Sequence, residues 1–206
     1  QAIETGDVRG LTSSQIAGLS SNQVGQLTTS QFVQLTSGQI RAIETADIAG
    51  VSTNQVAAIV TSQVAGLTTS QIAALSSNQV GQLTTAAFAQ LTSTQLQSIE
   101  TADIAGVTTS QIAGLSSNQV GQFLTAQLAQ FSSNQIQAIE TGDVRGLTSS
   151  QIAGLSSNQV GQLTTSQFVQ LSSNQIRAIE TADIAGVTTD RKSTRLNSSH
   201  EWISRM

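Results

Sequence analysis

The chain has 206 residues, no cysteine, 3% aromatic and 10% charged residues, and a formal net charge of -4. Without cysteine there are no disulfides and no thiolate metal sites. The acidic balance leaves no basic face to neutralise phosphates, which excludes ordinary nucleic-acid binding. No apolar run reaches the roughly 18 residues of a membrane span, so no membrane insertion is expected.

From Ile3 to Gly186 the chain is 23 consecutive octads with no insertion or deletion between them. The stretch Leu11-Thr12-Ser13-Ser14-Gln15-Ile16-Ala17-Gly18 serves as the type, with Leu11 at position 1. Positions 1 and 6 are apolar and position 3 is Ser or Thr in all 23 octads. Position 2 is Ser or Thr in 16; position 5 is Gln in 17, Asp in five and Ala once, at Ala87.

This pattern reads as a helix start. With Thr12 as N-cap, Gln15 falls at N3, which gives the capping box. Leu11 before the cap and Ile16 at N4 make the hydrophobic staple. A helix restarted every octad is about one and a half turns long, and the frequent Gly at position 8 suits a residue leaving the helix. Glu4, Glu44, Glu100, Glu140, Glu180, Val60 and Leu124 replace the hydroxyl at position 2. In those octads the position-3 hydroxyl (Thr5, Thr45, Thr61) is the substitute cap.

A single octad buries too little apolar surface to offset the entropy of ordering its residues. The expected fold is therefore all-α, a solenoid of very short capped helices, one per octad, each stabilised by its neighbours. The alternative is a β-solenoid, with three octads in a triangular coil and Gln or Asn ladders along it. Positions 1 and 6 are separated by odd intervals, which a flat strand would place on opposite faces.

Acidic octads begin at Ile3, Ile43, Ile99, Ile139 and Ile179, at intervals of five, seven, five and five octads. The long interval carries two extra octads, Ile59 to Ala74 in the plainest reading, and insertion in a unit of two points to a coil of two octads. Residues 3–42 and 139–178 differ only at Thr36/Ser172 and Gly38/Asn174. The chain starts in mid-pattern at Gln1, as expected of an internal piece of a longer array. Uncapped solenoid ends predict self-association.

The repeat ends at residue 189, and the composition then changes. The only Lys (Lys192), His (His200), Trp (Trp202) and Met (Met206) fall in the last 17 residues. Asp190 to His200 resembles one translated frame of a short-read sequencing adapter. The expected organisation is thus a repeat solenoid over 1–189 and a non-biological tail over 190–206.

The repeats hold no His, Cys, Lys, Tyr, Trp or Met. Their hydroxyls have no nucleophile-activating base beyond carboxylates, and no phosphate-cradling glycine motif occurs. No catalytic, cofactor-binding or metal residue is assigned, and the chain is read as not an enzyme. The pairs of the type Glu44 and Asp47 offer too few oxygens for a dedicated Ca²⁺ site. Asp47 is read instead as a favourable charge at a helix N-terminus. Arg41 and Arg177 precede acidic octads and are expected to pair with them or stay solvated. Phe32, Phe88 and Phe168 at position 6, and Phe123 and Phe131 at position 1, are read as core.

The strings Leu67-Thr-Thr-Ser-Gln-Ile-Ala-Ala74 and Ala42-Ile-Glu-Thr-Ala-Asp-Ile-Ala-Gly50 resemble octapeptide arrays of very large bacterial surface or secreted proteins. Those proteins are often described as haem-utilisation or haemagglutinin-like adhesion proteins. The resemblance implies an extracellular or cell-surface location and a role as spacer or stalk. A binding module for a cell-surface protein, peptide or glycan is the alternative. No haem ligand is present in the repeats. Single octads also resemble the helix start of transcription-activator-like effector repeats, but the octad period and acidic balance depart from that family.

Overall fold

The computed structural model describes residues 4–179. Each described octad forms one short element: eighteen α-helices of four to six residues and four 3₁₀ turns, with no strand among the described residues. The all-α reading therefore holds and the β-solenoid falls. The tail over 190–206 lies outside the described residues.

The helices start where the capping pattern places them. In the helix Thr69–Ala73 the Thr68 hydroxyl accepts the Gln71 backbone N–H at 3.1 Å, and Gln71 Oε1 accepts the Thr68 N–H at 2.9 Å. Each is one of the donors that a helix N-terminus otherwise leaves unpaired. The helix stops because the position-1 residue turns back, Leu75 N–H donating to the Ile72 carbonyl at 3.1 Å. The next residue, Ser76, is extended at ψ 161 and caps the following helix.

Glycine at position 8 leaves the helix as expected, closing it at Gly18, Gly114 and Gly154, and does so without left-handed backbone, Gly18 at φ -84. One expectation about local structure changes: the position-3 hydroxyl does not replace a missing cap. The helix Thr61–Val64 follows Val60 with only the glutamine half of the box, Gln63 Oε1 accepting the Val60 N–H at 3.0 Å, and the 3₁₀ turn Thr45–Gly50 follows Glu44 with no side-chain cap. A Thr at N1 already has helical φ and ψ, so its oxygen does not point back over the free N–H groups.

The described chain forms two compact units, divided between Gly114 and Leu115. Within each, octads stack on those three positions away. In the first unit one column runs Asp7–Gly10, Thr29–Gln34, Thr53–Ala57, Ser77–Gln82, Thr101–Gly106. A second runs Ser13–Ala17, Ser37–Ala42, Thr61–Val64, Thr85–Phe88, Thr109–Ala113. In the second unit Ser117–Val120 stacks with Asp143–Gly146, and Ser149–Ala153 with Ser173–Ala178. A coil is thus three octads, not the two suggested by the paired insertion. Each octad contributes one helix and one extended corner at positions 1 and 2, and three corners close the turn.

The core is the product of positions 1 and 6. From Leu35 to Ile179 every position-1 residue is at most 6% exposed, and position 6 is as deeply buried from Val8 to Phe168. All five phenylalanines are in this core, and in the second unit Phe123 and Phe131 meet edge to face with centroids 5.3 Å apart.

Candidate functional site

The most elaborate polar constellation is the glutamine at position 5. Thirteen of the 17 are buried, although an amide is costly to bury unless every hydrogen-bonding atom is paired. Gln79 shows how the cost is met. Its Oε1 accepts the Ser76 N–H and the Ser76 hydroxyl, both at 2.8 Å. Its Nε2 donates to the carbonyls of Ile48 at 3.1 Å and Val51 at 2.7 Å. Two lone pairs and two N–H groups are the whole capacity of the amide.

The spacing of these bonds recurs from octad to octad, with Gln151 an exception that takes the Gly121 carbonyl, 30 residues back, beside that of Phe123 at 28. Gln71 reaches Ile40 and Ile43, Gln95 reaches Val64 and Leu67, Gln111 reaches Val80 and Leu83, each time 31 and 28 residues back. In the second unit Gln159 reaches Leu128 and Phe131, and Gln175 reaches Val144 and Leu147. The acceptors are the last-turn carbonyl of one helix and the corner carbonyl after it. One side chain thereby caps the start of its own helix and satisfies orphan carbonyls at the end of a helix in the coil below.

This second duty went unread in the sequence, although a signal existed. A capping box accepts Glu or Gln at N3, yet no octad has Glu at position 5. Glu makes the cap equally well but has no N–H to give the carbonyls below. The restriction to Gln marks the amide as a strut between coils.

The acidic octads work differently. Asp47 and Asp103 occupy position 5, where they cannot donate, and their octads wind as 3₁₀ turns without side-chain caps. Glu44 and Glu100 are exposed, and Asp47 and Asp103 are half-buried. Among the described residues no three metal-ligating side chains come together.

Glycine brings these turns close to the coil below. A Cβ on Gly50 or Gly106 would collide with the carbonyl oxygen of Ser21 or Ser77. A Cβ on Gly81 would stand 2.7 Å from the Gly106 oxygen. The pairs Gly25 and Gly50, Gly81 and Gly106, and Gly121 and Gly146 are each 25 residues apart. The octads Leu19–Gln26, Leu75–Gln82 and Leu115–Gln122 therefore always lie one coil before an acidic octad, even across the two-octad insertion.

The arginines also bridge coils rather than pairing with nearby acids. Arg9 donates to the Gln34 carbonyl at 3.2 Å, Arg41 to the Ala65 carbonyl at 3.2 Å, and Arg145 to the Gln170 side chain. At Arg41 a carbonyl one coil away presents its lone pair to the guanidinium, whereas Glu44, three residues on, lies past the corner at Ile43. Arg177 has no such bond among the described residues.

What remains outside is uniform. Positions 2 to 4 expose Ser, Thr and Asn hydroxyls and amides in octad after octad, interrupted by the apolar side chains of Val60, 41% exposed, and Leu124, 47% exposed.

The ALTTAQ repeat model matches residues 1–37, 40–77, 96–133 and 136–173, well over half of the chain. The chain belongs to the ALTTAQ repeat family. The name spells the structural unit: in Gly66-Leu-Thr-Thr-Ser-Gln71 it covers the last residue of one octad, the core Leu67, the cap Thr68 and the strut Gln71. ALTTAQ matches recur with the acidic octads and leave 78–95 outside, a different stretch from the internally extra Ile59–Ala74. A five-octad sequence period laid on a three-octad coil permits either division. No curated protein and no solved structure matches the chain.

Proposed function

We propose that this ALTTAQ segment is a structural spacer, part of a stalk in a large surface or secreted bacterial protein, and not an enzyme. One observation carries the reading: the polar side chains that could have formed a site are consumed in holding coil to coil. Gln79 has no hydrogen-bonding capacity left, and the Thr68 hydroxyl caps its helix. The exposed side chains repeat instead of converging. The surface location rests on the resemblance of the octads to bacterial exoprotein arrays.

A binding module would gather unlike side chains on one face, as selective recognition requires a few well-placed polar and aromatic anchors. The test is a glycan and peptide array probed with the full chain, beside protease shaving of intact bacteria that carry the gene. A spacer gives no saturable binding and is released by shaving. Saturable binding to one glycan or peptide class overturns the spacer reading, and retention inside shaved cells overturns the surface location.

A further inference from the structure

We infer that the corner Ile59–Val60 is the site at which the array opens locally and is cut by an endopeptidase that takes a small aliphatic residue. Supports that the repeat supplies elsewhere are missing there together. At the strut interval of 28 residues from Ile59 stands Ala87, so no amide reaches the Ile59 carbonyl, which accepts no hydrogen bond among the described residues. Val60 stands where a hydroxyl caps the ordinary helix, which leaves only Gln63 Oε1 on the Val60 N–H. The helix start is altered as well. In every other described α-helical octad the position-6 N–H donates to the position-2 carbonyl. From Val64 to Val60 that bond is missing, and the Val60 carbonyl accepts the Gln63 N–H at 2.9 Å instead.

Elsewhere one support covers for another. Gln71 holds the Ile43 carbonyl before Glu44, Gln151 that of Phe123 before Leu124, and Gln167 that of Ile139 before Glu140. Asp103 stands at the strut interval from Leu75, but Ser76 caps that corner and Gly106 rests on Ser77. From Leu35 onward the described corners bury their position-1 side chains alike. The apolar cost of lifting a corner out is therefore shared, and the polar attachments decide which opens first. A strut and a cap are each about a factor of five in that equilibrium, which puts Ile59–Val60 roughly tenfold or more ahead of its neighbours.

The stretch that lifts is bounded on both sides. Gln55 is fastened to Val24 and Leu27, and Gln63 to Phe32 and Leu35. Between them Val60 is extended at φ -89 and ψ 158 with its side chain 41% exposed. An extended backbone with a side chain to fill a pocket is what a cleft that binds peptides takes. Water then adds across the Val60–Thr61 peptide bond, leaving a carboxylate on Val60 and an amine on Thr61.

The test is limited digestion of the full chain with elastase, whose primary pocket is small, and with subtilisin. Cuts among residues 4–179 are placed by mass spectrometry. Both enzymes are expected to cut first between Val60 and Thr61, ahead of the more exposed Leu124, because cleavage of a folded chain follows the population of its open form. Ala87→Gln leaves the cut sequence intact and supplies the strut, so cutting at Val60 should slow roughly fivefold while cutting at Leu124 is unchanged. The pair Thr68→Val, Gln95→Ala strips the corner at Leu67 of its cap and its strut, and should bring a new early cut after residue 68. That pair does not depend on how the core receives a glutamine at 87. A first cut elsewhere among residues 4–179 overturns the inference. So does a paired variant without the new cut, or an Ala87→Gln chain cut at Val60 at the wild-type rate.

Discussion

The octads Leu75–Gln82 and Ile99–Gly106 touch one another and solve the same problem by opposite means. The first winds as the α-helix Ser77–Gln82, capped by Ser76 and Gln79. The second winds as an uncapped 3₁₀ turn, Thr101–Gly106, with Asp103 where the strut would be. A glutamine octad attaches to the coil below through a side chain that spans the gap, as Gln79 does to Ile48 and Val51. An acidic octad removes the gap, because Gly106 lets its backbone rest on the Ser77 carbonyl. Two attachments are therefore available to one repeat, and they should fail in different ways.

The largest effect is expected where a strut is turned against its acceptors. Gln71→Glu keeps the box with Thr68 but sets a carboxylate against the carbonyls of Ile40 and Ile43 in a site 1% exposed. Stranding a buried charge in this way costs about 3–5 kcal/mol. Burial disfavours the ionised form, so the introduced carboxyl has a raised pKa in the folded state. Stability is then lost as the pH rises through that pKa and returns as the pH falls below it, the sign expected when the folded state holds the proton more tightly. Denaturant melts at neutral and at mildly acidic pH check this. A deficit independent of pH would mean that the carboxylate has swung out to water and that the strut is dispensable.

The glycine attachment is tested by two alanines in the same octad type. Gly106→Ala drives a Cβ into the Ser77 carbonyl, and forcing backbone apart should cost about 1–3 kcal/mol. Gly142→Ala meets nothing within 4 Å at φ -70, and should be neutral or stabilising by about 0.4–1 kcal/mol. Repeat arrays need not melt as one unit, so hydrogen exchange localises each effect. Equal behaviour of the two variants would remove the close approach as the reason for glycine. Smaller again is Thr68→Ala, which leaves the Gln71 N–H without its cap at a cost of about 1 kcal/mol, read in the same exchange experiment.

The sequence made the start of each helix legible because capping is local: Thr12 and Gln15 are three residues apart and their chemistry is complete within one turn. The core was legible for the same reason, since positions 1 and 6 repeat without exception. The strut was not, because its acceptors are backbone carbonyls about 30 residues away, and a carbonyl has no residue type to recognise. Only the exclusion of Glu from position 5 betrays it. The coil of three octads was equally hidden behind a five-octad sequence period. Its trace is the 25-residue interval from Gly25 to Gly50, repeated from Gly81 to Gly106 on the far side of the insertion. The uncapped 3₁₀ turns were misread because Asp47 stands where a capping residue belongs, and its partner Glu44 occupies the cap without capping.

Ala87 permits the finest version of the comparison, since its octad alone has neither glutamine nor aspartate at position 5. Thr84 still caps the helix Thr85–Phe88 through the Ala87 N–H at 3.1 Å, but no amide leaves position 5. By the intervals that hold elsewhere, the carbonyls left without a strut are those of Val56 and Ile59. Val56 still accepts the N–H of Ile59 at 3.0 Å, and Ile59 accepts nothing among the described residues. Ala87 itself is fully buried, so a longer side chain must pass along the path that Gln79 and Gln95 take in the octads on either side. Ala87→Gln should add two hydrogen bonds and remove an unpaired buried carbonyl, a net gain of about 1 kcal/mol. Slower exchange should appear around Ile59 and Ala87 together and not in the helices Ser13–Ala17 or Ser37–Ala42. A loss instead of a gain would mean that the core has closed over the empty path, and that in this fold a strut, once deleted, is replaced by packing.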